Sequence, residues 1–464
     1  MKPQVKGQTW WVIGLARSGC AAGALLRNHG ARVIGIDDND EKKVHRRWER
    51  EGLSLLAPRA FDELATGGTW PSDYPDAVVI SPGVPPTHPR LKALPAAIPV
   101  MGEMELGSSF CTADLVAITG TNGKSTTTEL VAHLIRKSGR RVEALGNLGT
   151  PLSQVADDLE EDDAVSLEVS SFQLETVHDF SPRVGMVLNL APDHLDRYSD
   201  LKAYFEAKRI MAQKTSASGH FITWTECPEA RAWETSAEKI LFGDKSGGAA
   251  VYFEEGFLCY EGAGKTTSLL AMKDLALQSP PNLLNALAAV AAGVALGLDD
   301  QAMVEGLKDF PGLAHRQQWV ASLGNVRFIN DTKATNVHAV CAGIDGYARP
   351  VALIVGGSGK GESYEPLKKV MNSVVHVVTI GDEGPSIGKA LGGVVPVTAA
   401  SDKDEAVKIA NKMLGKSHPD ADGDVMLSPA CASFDMFANY RVRGEAFAAA
   451  ALKLGAVARE ISSE

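Results

Sequence analysis

Cysteine is scarce and scattered in this sequence. Its six residues, Cys20, Cys111, Cys227, Cys259, Cys341 and Cys431, form no Cys-x-x-Cys pair among 464 positions. That spacing argues against a disulfide framework or a cysteine zinc site and predicts free thiols in a reducing compartment. Long apolar runs are missing too: no uninterrupted stretch reaches the roughly 18 residues that a membrane span needs. The nearest, 283–298, contains Asn285 and is rich in Ala and Gly, so it predicts a buried soluble helix. The early run WWVIGLA stops at Arg17 and predicts a strand rather than a signal peptide. Positive charge is in deficit, since 46 Lys+Arg against 57 Asp+Glu leave a net charge of −11. A chain of that sign is a poor general ligand for nucleic acid. Short-period repeats and low-complexity tracts are also absent. A cytoplasmic monomer with no nucleic-acid or membrane partner is expected.

What is present is globular. Apolar residues make up 45% and charged residues 22%, and at roughly 150 residues per domain the length predicts about three domains. β-rich apolar runs alternate with helical stretches, the pattern of parallel α/β sheets. Residues 10–13, 32–36 and 77–80 predict strands of a first unit, closed near 102 by a Pro-rich stretch. Residues 115–119, 164–169 and 184–190 predict strands of a second unit. Its helix from Asn282 follows Pro280-Pro281 and ends at Gly297. Residues 351–355, 374–380 and 424–427 predict a third, doubly wound unit. The reading is three α/β domains: an N-terminal Rossmann-like parallel sheet (1–102), a central P-loop domain (103–311) and a C-terminal Rossmann-like domain (312–464).

The strongest motif runs from Ile118 through Gly120, Thr121, Asn122, Gly123, Lys124 and Ser125 to Thr126. An apolar strand enters a glycine turn and leaves in a helical run to Lys137. Backbone N–H groups and the helix N-terminus can face phosphate oxygens there. Lys124 can reach the β- and γ-phosphates of ATP, and the Ser125 hydroxyl can ligate Mg²⁺. Ile118 departs from the strict pattern, which asks for Gly or Ala. A second match, Gly262 to Thr267, lacks a strand before it and predicts a surface hairpin.

Gly14-Leu15-Ala16-Arg17-Ser18-Gly19 follows the first strand where a dinucleotide loop belongs, but Ala16 replaces the glycine that lets a diphosphate approach. Asp37 ends the second strand in the ribose-reading place. Ser81-Pro82-Gly83 would lie on the same sheet edge. An NAD site, a site for another nucleotide diphosphate and a bare fold remnant all remain open on these residues. Glu168 ends one predicted strand, and Asp193-His194 follows another. Near a phosphate loop they are candidate Mg²⁺ ligands or supports, although each alone is more often structural. Lys208, on a helix, would alone be a solvated surface lysine. At about 6 Å from a divalent ion and an effective dielectric of about 20, repulsion would cost roughly 5 kcal/mol. A lysine there must be neutral, turned away or converted to an anion.

In order, GTNGKST, GNLG (146–149), LEVSSFQLE, NLAPDHLDRY, AHR (314–316), NDTKATN (330–336) and SPACASFD (428–435) resemble the Mur ligases from Gly14 to Tyr440. The last two motifs point to the member that adds D-glutamate to UDP-N-acetylmuramoyl-L-alanine. The resemblance implies an ATP- and Mg²⁺-dependent amide ligase with one domain per substrate. Lys124 and Ser125 would hold phosphates and Mg²⁺, with Glu168 and His194 at the metal. Lys208 sits where the family carries a carbamylated lysine. Gly14, Leu15, Ala16, Asp37, Ser81, Pro82, Gly83, Asn147 and His194 would meet the UDP-substrate. Asn282 and Asn285 would lie near adenine, and Arg316 and Asp331 would grip the nucleotide. Lys333, Thr335, Lys360, Ser433, Phe434 and Tyr440 would surround D-glutamate, whose carboxylates need cationic and hydroxyl donors. Asp38-Asn39 lacks the hydroxyl and cation that some relatives present to the UDP group. The absence of Asn-Pro-Arg counts against the diamino-acid-adding members. An NAD oxidoreductase and a non-catalytic nucleotide switch are the rivals from other classes.

Overall fold

The computed structural model describes residues 2–147, 149–194, 197–262, 264–359, 361–417 and 422–459. These residues form three sheets. β1 (Thr9–Ile13), β2 (Arg32–Asp37), β3 (Glu63–Thr66), β4 (Ala77–Ile80) and β5 (Val100–Gly102) pair in parallel in the order β3-β2-β1-β4-β5. β1 and β4 are buried along almost their whole length, as strands covered by helices on both faces must be. The strand order reverses between β1 and β4, and a ligand crevice forms at such a reversal, outside the carboxyl ends of the strands. Gly14 and Ser81 stand there.

The second sheet contains β6 (Asp114–Thr119), β7 (Val142–Gly146), β8 (Ala164–Glu168), β9 (Val184–Val187), β10 (His220–Trp224), β11 (Glu238–Gly243), β12 (Val251–Glu254), β13 (Phe257–Gly262) and β14 (Lys265–Ala271). Its order is β14-β13-β12-β11-β10-β9-β6-β8-β7. Pairing is parallel from β7 to β12, and the β13–β14 hairpin closes it in antiparallel fashion. The second Gly-Lys-Thr match thus falls in a hairpin, as expected, although β13 leads directly into it where no preceding strand was expected. β6 lies between β8 and β9, so its carboxyl end opens at the reversal of this sheet.

The third sheet contains β15 (Gln318–Leu323), β16 (Val326–Asn330), β17 (Val351–Gly356), β18 (Val374–Ile380), β19 (Val397–Ala399), β20 (Gly423–Leu427) and β21 (Val457–Ala458). Its order is β19-β18-β17-β20-β16-β15-β21. The five strands from β19 to β16 run parallel, but β15 and β21 make an antiparallel edge. The doubly wound arrangement expected there holds for the parallel strands, and the antiparallel edge adds to it. Half-buried strands near the edge, such as β15, carry mixed polar and apolar residues and lack the continuous apolar signature of β17.

Two compact bodies result: Met1–Asp274 with Asn285–Lys308, and Leu275–Leu284 with Asp309–Glu464. The first holds the first two sheets. No helix among the described residues is long and apolar enough to cross a membrane.

Candidate active site

β6 delivers the chain into Gly120, and Gly123 then starts the helix Lys124–Lys137 from a left-handed conformation with φ 85°. A Cβ on Gly123 would stand 2.5 Å from Asn285 Oδ1, so the turn admits only glycine. Asn189, just past β9, supports the loop from beneath. Its carbonyl accepts from Thr121 N–H at 3.0 Å, its Oδ1 accepts from Asn122 N–H at 2.8 Å, and its amide donates to the Asn122 carbonyl at 3.0 Å. Ser125 and Thr126 are buried at the helix start.

Lys124 Nζ donates back to the carbonyls of Gly120 and Thr121, both at 2.9 Å. Lys208 Nζ, from the helix Leu201–Lys214, donates to the same Gly120 carbonyl at 3.0 Å and to Thr119 Oγ1 at 3.2 Å. Two lysines therefore converge on one carbonyl oxygen. Lys208 is only 1% exposed, so the expectation of a solvated lysine does not survive. Its helix buries Tyr204, Ala207, Lys208, Met211 and Ala212, a single apolar stripe at helical spacing. That stripe was visible in the sequence and could have marked the lysine. Burial, and then the like charge of Lys124, hold the Lys208 ammonium well below its usual range, against the pull of Asp193 and Glu168. Both effects favour the free amine more than they would for an exposed lysine.

Glu168, at the end of β8, is 3% exposed. Its Oε1 accepts from Asn147 Nδ2 at 2.7 Å, while its Oε2 is buried with no hydrogen-bond partner. Asn147 also donates its backbone N–H to the Glu168 carbonyl at 2.9 Å. His194 adopts φ 54° and packs edge-on against Phe172 and Tyr204 at 5.0 and 5.9 Å. Among the described residues, no three His, Cys, Asp or Glu side chains gather into a metal cluster. Asn285 packs against the phosphate loop and accepts from Thr127 Oγ1 at 3.2 Å.

At the first sheet, Ser81 Oγ donates to the Gly14 carbonyl at 2.7 Å, and Ala16 caps the helix Arg17–Asn28. Asp37 accepts from Asn39 N–H and Nδ2, from Leu15 N–H and from Arg47 Nη1, at 2.8 to 3.2 Å. Burial opposes ionisation, but these donors hold the Asp37 carboxyl below its usual value. Arg47 supplies a cation to this corner that the segment after Asp37 does not show in sequence.

The second body groups the remaining residues. Asp331 is buried and accepts from Ser428 Oγ at 2.9 Å and Gln317 N–H at 3.2 Å. Burial pushes its carboxyl up to about 7, against those donors and Arg316. Lys333 Nζ lies 4.0 Å from the centroid of the Tyr440 ring. Burial opposes it, but Arg441 and Lys333 draw the Tyr440 phenol below its usual value. Thr335 N–H donates to the Lys333 carbonyl at 2.9 Å, Ser433 is buried, and Phe434 is 76% exposed. Arg443, passed over in the sequence, is buried and donates to the carbonyls of Thr332, Cys431 and Ala432, fastening both motif loops. Asn282 Nδ2 donates to Ser279 Oγ at 2.9 Å. Lys360 lies outside the described residues.

A glycine loop ending β6, a Lys-Ser helix start and a buried carboxylate at the end of β8 define a nucleotide-dependent α/β enzyme. Residues 118–293 match the model of the Mur ligase middle domain, and residues 315–428 match that of the Mur ligase glutamate ligase domain. The UDP-N-acetylmuramoylalanine–D-glutamate ligase of Anaeromyxobacter dehalogenans is 38% identical, covering 96% of this chain and 97% of that protein. Its counterpart from Acidobacterium capsulatum is 35% identical over 96% of each chain. Among solved structures, the UDP-N-acetylmuramate–alanine ligase of Thermotoga maritima superposes with a TM-score of 0.57 at 17% identity. That match covers 96% of this chain and 100% of that one. The chain belongs to the Mur ligase family.

Proposed function

We infer that the chain is an ATP-dependent ligase joining D-glutamate to UDP-N-acetylmuramoyl-L-alanine in peptidoglycan precursor synthesis. The relatives of matching length bear that activity in their names. The observation that carries the chemistry is the convergence of Lys124 and Lys208 on the Gly120 carbonyl. Two lysines on one buried oxygen disfavour each other's charge, which Asp193 and Glu168 only partly offset, so a further anion is favoured there. The γ-phosphate of ATP answers the charge of Lys124, which swings from the loop carbonyls onto phosphate oxygens.

The substrate carboxylate then attacks the γ-phosphorus, ADP leaves, and an acyl phosphate forms. The D-glutamate amine attacks the acyl carbon, loses a proton and expels phosphate, leaving the amide. Lys124 neutralises charge that develops on the transferring group, so electrostatics outweigh covalent catalysis. The unpartnered Glu168 Oε2 fits a divalent cation. Glu168, Ser125, His194 and a carbamate on Lys208 would hold Mg²⁺, which when bound neutralises phosphate charge. The depressed Lys208 amine suits carbamate formation: its nitrogen bonds the carbon of CO₂ and releases a proton. In this reading residues 1–102 take the UDP moiety, 103–311 take ATP and 312–464 take D-glutamate through Lys333, Thr335, Lys360, Ser433, Phe434 and Tyr440. The enzyme acts as a cytoplasmic monomer.

Phosphate release with ATP, Mg²⁺, UDP-N-acetylmuramoyl-L-alanine and single amino acids tests this directly. Release should require D-glutamate. Release with L-lysine or diaminopimelate alone would overturn the amino-acid assignment, and release without any amino acid would favour a nucleotide switch.

A further inference from the structure

We propose that Arg197 is a positioning residue that couples the UDP-substrate turn to the catalytic turn, an inference that rests on the ligase reading above. Its guanidinium does three things at once. Nη1 donates to the Pro82 carbonyl at 3.1 Å, Nη2 donates to Glu175 Oε2 at 3.0 Å, and Cζ lies 3.9 Å from the Phe172 ring centroid. Pro82 belongs to the first sheet, in the turn closed by Val84 N–H on the Ser81 carbonyl at 2.9 Å. Phe172 and Glu175 belong to the short segment after β8, immediately beyond Glu168. The Arg197 N–H donates to the His194 carbonyl at 3.0 Å, which helps hold His194 in its left-handed conformation.

One residue thus reaches, through its side chain, the UDP-substrate turn and the segment after β8 and, through its backbone N–H, the His194 turn. The Ser81 turn is held at one end by Ser81 Oγ on the Gly14 carbonyl. Arg197 holds the next residue through the Pro82 carbonyl. The facing segments Ser81–Val84 and Phe172–Thr176 line a common small pocket, so their spacing sets its width. Glu175 keeps the guanidinium in place, since a half-buried arginine with a carboxylate partner loses little freedom on bonding a further acceptor. Lysine cannot reproduce this, because it lacks the planar fork that bonds two acceptors while stacking on a ring.

The test compares the full-length wild type with Arg197→Ala, Arg197→Lys and Glu175→Gln. Kd for UDP-N-acetylmuramoyl-L-alanine and for ATP is measured by calorimetry, alongside steady-state KM for all three substrates. Arg197→Ala should raise Kd and KM for the UDP-substrate about tenfold, the loss expected for charge-assisted bonds to a positioned turn. Kd for ATP should stay within about twofold. Arg197→Lys should recover only part of the loss, and Glu175→Gln should show a smaller shift of the same kind. If Arg197→Ala fails to fold, the other two variants carry the test. Equal weakening of UDP-substrate and ATP, or unchanged UDP-substrate affinity in an active enzyme, would overturn the coupling alone. A wild type without D-glutamate-dependent phosphate release would overturn the ligase reading and the coupling with it.

Discussion

The corner after β1 and the corner after β6 share a backbone plan. Each strand ends at a glycine, each loop is braced by a side chain beyond a neighbouring strand, and each releases a helix. The brace is where they part. Asp37 braces the first loop and takes the Leu15 N–H for itself. Asn189 braces the second with a neutral amide. A carboxylate beside a loop puts negative charge where a phosphate would sit, and Arg47 offsets it. A neutral brace leaves the field of Lys124 and the helix N-terminus undiminished. Backbone geometry alone therefore does not separate the two corners; the charge of the braces does.

Removing Lys124 should erase that difference. Lys124→Ala is expected to lower turnover by about a thousandfold or more, because on the ligase reading this charge would meet the transferring phosphoryl group. Thermal unfolding should stay close to that of the wild type, since the lysine's bonds to the Gly120 and Thr121 carbonyls are local to its own loop. Retained activity would detach catalysis from this corner.

Lys208 tests the same contrast one layer deeper. Lys208→Ala should cost roughly a hundredfold in rate, the scale of losing a group that supports a metal site. A small carboxylate added to the assay should restore part of that activity by standing in for a carbamate. An unaffected rate would reject the converted lysine. Recovery with a primary amine in place of the carboxylate would show that positive charge is what the site needs.

Much of this was legible in the sequence, for physical reasons that differ from part to part. β1, β4 and β17 lie inside parallel sheets and read as unbroken apolar runs. The phosphate loop is local, so its strand, glycines and Lys-Ser appear side by side. β15, β21 and the short edge strands carry no such run. The braces were harder to see because their partners are distant: Asn189 meets Asn122 across 67 positions and Arg197 meets Pro82 across 115. No local spacing encodes such a pair. Lys208 is an intermediate case, since its place on an apolar stripe was readable while its partners, the Gly120 carbonyl and the Thr119 hydroxyl, were not.

The smallest expected effect comes from Ala16, and it sharpens the comparison most. Ala16 occupies the N-cap with φ −87° and ψ −166°, a conformation that needs no glycine. Ala16→Gly would improve the cap by a few tenths of a kcal/mol and lose a similar amount to the freer unfolded chain, a net change well under about 1 kcal/mol. The variant also restores the dinucleotide spacing of glycines. If that spacing governed the ligand, NAD should begin to bind. Asp37 argues otherwise, because both its oxygens already accept two donors each. A ribose hydroxyl would have to displace one of them. Ala16→Gly should therefore leave KM for the UDP-substrate within about threefold and gain no NAD affinity by calorimetry. Measurable NAD binding would show that the methyl group, and not the filled carboxylate, sets what this corner accepts.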